Sequence, residues 1–113
     1  MNRPLLTKFF PFSASFSRGK EVHGHNYTLG VTVEHSEKLD EALLEKKVHR
    51  SLIEKIHSRD LGLHVEFLRK TEITDLNLLK AFSKILVREI KPARLREVFL
   101  ERGRTRLSLP VKG

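Results

Sequence analysis

Between Leu5 and Phe16 the apolar positions fall on alternate residues, Phe10, Phe12, Ala14 and Phe16. A period of two is that of a strand with one buried face, and Pro11 pushes it toward a sheet edge or a bulge. A short loop carrying Gly19 follows. From Asn26 to Glu34, Tyr27, Leu29, Val31 and Val33 alternate with Thr28, Gly30, Thr32 and Glu34. This is the cleanest strand in the chain, and the loop before it permits a hairpin. Near Asp40 the period lengthens. Leu44, Val48, Leu52 and Ile56 recur four apart, Leu43 and Ile53 widen the stripe, and Lys46, Lys47, Arg50 and Lys55 lie between them as a solvent face. Gly62 marks the connection to a second helix, which opens with Thr74 as N-cap and Asp75 in its first turn. That helix runs through Leu78, Leu79, Phe82, Ile85 and Leu86 until Pro92 stops it. Glu97–Glu101 and Thr105–Leu109 read as two closing strands joined by Arg102-Gly103-Arg104. The order ββααββ predicts an α+β sandwich with both helices on one face of a four-stranded antiparallel sheet.

Composition narrows the picture. With no Ser/Gly linker and no repeat period, the 113 residues are expected to form a single domain, 1–113. The absence of cysteine excludes disulfides, thiolate zinc sites and a cysteine nucleophile. No apolar run approaches the ~20 residues of a membrane helix, and Met1–Phe12 lacks the long apolar core of a signal peptide. The expectation is a cytoplasmic protein without a membrane partner.

Charge adds a direction. There are 22 Lys and Arg against 14 Asp and Glu, a net +8, which favours anionic partners: nucleic acid, phosphorylated metabolites or an acidic surface. Arg94, Arg96, Arg102, Arg104, Arg106 and Lys112 gather near the C-terminus as a candidate phosphate-contacting surface. A basic nucleic-acid or anion-binding module is therefore one reading. Tryptophan is absent and there is one tyrosine, which leaves few stacking platforms. Nucleic acid is not the expected partner.

The informative motif is His23-Gly24-His25-Asn26-Tyr27. Histidines at i and i+2 opening a strand point both imidazoles to one face. They supply half of a tetrahedral zinc site. Gly24 between them would allow close approach of backbone or ligand.

Phe12-Ser13-Ala14-Ser15-Phe16, a loop, and then His23-Gly24-His25-Asn26-Tyr27 resemble the opening of the 6-pyruvoyl-tetrahydropterin synthase family, which includes the 6-carboxy-tetrahydropterin synthases. The resemblance implies a T-fold, whose order is also ββααββ, closing into a barrel by oligomerisation as trimers or hexamers. It further implies a reduced pterin of the dihydroneopterin triphosphate type as ligand, zinc as cofactor and lyase activity on a carbon–oxygen or carbon–carbon bond.

Carried over residue by residue, the match is partial. His23 and His25 take two of the family's three zinc positions, but the third is Phe16, which cannot ligate. Ser17 to Val22 contain no counterpart of the family's cysteine, and His57-Ser58 stand where its Asp-His pair aligns. Glu101 matches the strand glutamate that accepts hydrogen bonds from the pterin ring. The resemblance thus implies a pterin-binding protein with impaired or altered chemistry, and whether it is an enzyme stays open. A variant reading keeps a zinc lyase forming 6-hydroxymethyl-dihydropterin for folate synthesis, with Glu21, two residues before His23, as its catalytic carboxylate. His35, His49, His57, His64 and Glu21 are candidate substitute ligands by type alone.

Overall fold

The structure, a computed structural model, describes residues 3–18 and 21–112. The expected loop residue Gly19 lies outside them.

A long hairpin dominates. Strand β1, Leu5–Arg18, pairs antiparallel with β2, Glu21–Glu34, in a register that sets Phe12 opposite Tyr27, Ala14 opposite His25 and Phe16 opposite His23. Both strands run further than their apolar alternation. The ladder continues past Phe16 on β1 and over Glu21–Asn26 on β2, beyond the alternating apolar residues. Glu21 accordingly starts a strand rather than sitting in a loop. β2 pairs in turn with β4, Leu95–Arg102, and β4 with β5, Thr105–Pro110. The two-residue turn between them begins at Gly103, whose φ of +57° is the left-handed conformation such turns require.

These four antiparallel strands are the expected ones, but the sheet has five. β3, Arg59–Asp60, lies parallel to β1 beside Ala14 and Ser15 and gives the order β3-β1-β2-β4-β5. Two residues are too few to leave a periodic signal. Main-chain bonds from Ser58 N–H to Ser13 (2.6 Å) and from Leu61 N–H to Ser15 (2.7 Å) hold it.

Both helical segments cover one face of the sheet. Asp40 caps α1, Glu41–Val48, by accepting from the Leu43 N–H. The expected single helix is then interrupted by a π turn, His49–Ile53, before α2, Glu54–Ile56. The wider turn admits an extra residue, and the adjacent Leu52 and Ile53 are both buried. Helix α3, Asp75–Glu89, is capped by Thr74 Oγ1, which accepts from the Asn77 N–H at 3.1 Å. The core lies between the layers: Leu29, Val31, Val33, Val98 and Leu100 from the sheet meet Val48, Leu52, Ile56, Leu78, Phe82 and Leu86 from the helices. At its margin the Lys8 ammonium bonds Glu41 and Glu45, which raises the Lys8 pKa, while Lys8 lowers that of Glu41.

No helix among the described residues covers the other face of the sheet. There Phe99 lies across Gly30; a Cβ at residue 30 would sit 2.0 Å from that ring. Phe9 packs edge-on against Phe99 with centroids 5.7 Å apart, and the Arg106 guanidinium lies 4.2 Å from the Phe99 centroid. Among the described residues no helix is long and apolar enough to cross a membrane.

Candidate pterin and histidine site

The histidine motif lies within β2, and its side chains alternate as the strand dictates. His23, His25 and Tyr27 leave the helix-bearing face, where they join a run of rings. Tyr27 stacks on Phe12 with centroids 5.0 Å apart, and Phe12 meets Phe82 of α3 edge-on. His25 meets Tyr27 edge-on at 5.8 Å. Beyond the helical layer Phe16 stacks on His23 at 5.4 Å and tilts over His25 at 5.9 Å. Burial first, and the negative charge of Asp75 second, push the Tyr27 phenol above its ordinary pKa, with Arg102 pulling the other way.

This donor set does not fit a catalytic zinc, which takes three protein ligands. The two imidazoles lie nearly parallel with centroids 6.5 Å apart, and the third position offers the carbon ring of Phe16. Glu21 Oε2 contacts His23 Nε2 at 3.4 Å but is well exposed. Among the described residues no group of three His, Cys, Asp or Glu is placed to hold a metal ion. Gly24 has no steric role, since a Cβ there would meet nothing within 4 Å.

Three residues of the connection after α2 brace the hairpin. His57 Nδ1 accepts the Ser13 main-chain N–H at 3.1 Å. Ser58 adopts a left-handed φ of 59°. Asp60 accepts from the Gly62 and Leu63 N–H groups, each at 3.0 Å, and from Ser17 Oγ at 3.2 Å. Asp60 has no periodic pattern around it; an Asp two residues before a Gly is the turn signal that marks it. Ser58 and His25, with Ser13, Ser15, Gly24 and Asn26, line a shallow hollow of about 360 Å³. His35, His49 and His64 do not join the motif; His49 instead packs edge-on against Phe10.

Glu101 is elsewhere. It stands opposite Thr28 in the β2–β4 ladder, three residues along β2 from His25. Odd spacing in a strand means opposite faces, so Glu101 joins Phe99 on the helix-free side. Its Oε2 accepts from Arg106 Nε at 3.0 Å and Nη2 at 2.9 Å. Its Oε1 has no protein partner among the described residues. Arg106, not Arg102 or Arg104, is thus its cross-strand partner.

The C-terminal arginines are largely engaged. Arg94 and Arg96 approach Glu34 at 3.6 and 3.8 Å, and Arg102 bonds Asp75 at 3.1 Å. Glu34 Oε2 is buried without a hydrogen bond. It borders a cavity of about 450 Å³ at the far end of the sheet, which Arg94 also lines.

The whole chain superposes on the solved structure of Caenorhabditis elegans 6-pyruvoyl tetrahydropterin synthase with a TM-score of 0.81, covering 99% of either chain at 21% identity. The chain has the 6-pyruvoyl tetrahydropterin synthase fold. No family model matches the sequence, and no curated protein matches it. The synthase fold therefore rests on three-dimensional agreement over nearly all residues, including the hairpin that carries His23 and His25 and the strand that carries Glu101.

Proposed function

We propose that this chain binds a reduced pterin, of the dihydroneopterin type, on the synthase fold and lacks the zinc-dependent lyase chemistry that its motif resemblance implies. The observation that carries the reading is Glu101. Its carboxylate is oriented by Arg106 through one oxygen while the other is left to accept N–H groups. A hydrogen bond to a charged acceptor contributes about 1.5–3 kcal/mol, and a pterin ring edge offers an amino group and a ring N–H side by side. Phe9, exposed on the same face and packed on the buried Phe99, supplies adjoining apolar surface for the flat ring. Phe16, in the third zinc position, supports loss of the metal chemistry.

The partner implied is a second copy of the chain. Among the described residues β1 pairs with β3 only at Ala14 and Ser15, and β5 has no outer neighbour, so both sheet edges are open. Open edges are stabilised by pairing with further strands, and closure into a trimer or hexamer would do this. Because Glu101 and His25 leave opposite faces of one subunit, a single ligand reaches both only where two copies meet.

Titration calorimetry with 7,8-dihydroneopterin and its triphosphate tests the reading. Binding should persist at high salt and after chelation of metal, and it should be lost in Glu101→Gln. Chelator-sensitive turnover of either pterin, or binding unchanged in Glu101→Gln, would overturn it. Sedimentation as a 13 kDa species would remove the assembly.

A further inference from the structure

The net positive charge sits in a different place from the one the sequence pattern indicates. Four of the C-terminal arginines are paired with Glu34, Asp75 or Glu101. On the helical layer the situation reverses: Arg50, Lys55, Lys80 and Lys84 are exposed and make no ion pair among the described residues. They do not form a dispersed solvent face. Lys47, Arg50 and Lys55 line one wall of a hollow of about 490 Å³, and Arg88 of α3 lines the other. An adjoining hollow of about 330 Å³ continues along α3 past Lys84 and Lys80. The two share Phe67 and Ile85 as a half-buried floor. The one acid in the lining is Glu89, which already contacts Arg88 at 3.4 Å.

We infer that this interhelical groove binds the backbone of a single-stranded nucleic acid. Lys80, Lys84 and Arg88 follow one another at i+4, a rise of about 6 Å per step, and so present a line of positive charge to a linear polyanion. The second row, on α1, the π turn and α2, faces them across the floor. A cleft with cationic walls admits a thin single strand, and the Phe67 ring, set edge-on to Phe82 at 6.3 Å, gives it an aromatic surface for a base. The groove lies on the face opposite Glu101, outside any barrel closed through the sheet edges. It is independent of the pterin reading.

The test is fluorescence anisotropy of a labelled oligouridylate with the full chain across a salt series. Neutralising about four phosphates gives a slope of log K against log salt near −3. Lys80→Glu/Lys84→Glu should weaken binding at least tenfold and flatten that slope, while Arg104→Gln changes neither. If the charge reversal unfolds the chain by circular dichroism, Lys80→Gln/Lys84→Gln replaces it with the same expected direction. No binding at low salt, equal loss in Arg104→Gln, or inorganic polyphosphate binding as tightly as the oligonucleotide would each overturn the assignment.

Discussion

Phe16 and His23 are direct cross-strand partners, and their rings stack 5.4 Å apart with planes inclined by 23°. An apolar ring therefore stands where an imidazole would complete a three-histidine site. Phe16→His should convert the hairpin into a zinc site and tighten zinc by at least about 10–100-fold, the range that outer-shell partners alone command. Competition with a chromophoric chelator measures it. Equally tight zinc in the native chain would mean that another side chain completes the site.

Gly30 and Phe99 are interlocked. A methyl group at residue 30 would overlap the ring, so Gly30→Ala must drive Phe99 from beneath Phe9 and Arg106. Overpacking of this kind costs about 1–3 kcal/mol. Urea denaturation should show a lower midpoint at unchanged slope, and an unchanged midpoint would contradict the packing.

The single tyrosine makes alkaline titration unambiguous, because no tryptophan absorbs beside it. Tyr27 is held protonated in the folded chain chiefly by burial. The unfolded phenol ionises near pH 10. The Tyr27 contribution to stability is full below that pH and is lost as pH rises through the higher folded value. Phenolate absorbance should therefore develop at higher pH in the native chain than in urea. Coincident titrations would refute the burial account.

Thr74 closes the first turn of α3 through its hydroxyl. Thr74→Ala should cost about 1 kcal/mol and Thr74→Ser much less. Thermal unfolding of the two variants distinguishes cap loss from packing loss.

The parts of the fold legible in the sequence are those with one buried face. Tyr27 to Val33 and Leu78 to Leu86 announce their elements because every second, or every third and fourth, residue enters the core. Around His23 and His25 the strand is only half-buried and carries no apolar alternation. β3 is too short to carry any. The site is legible only as types of residue. The motif shows two histidines, and only the register reveals that Phe16 covers them and that Glu101 leaves the opposite face. Ion pairing is similarly hidden, since the arginine-rich C-terminus meets acids brought from β2 and α3.

The exposed edge of β1 between Leu5 and Phe12 is written in peptide groups rather than side chains. Sequence drift can exchange almost every residue along it without erasing its capacity to recruit a strand. Proline, which lacks the N–H, is the residue that weakens it, and Pro11 already stands within this stretch. A capacity held in peptide groups can therefore persist along this strand whatever side chain stands at Phe16.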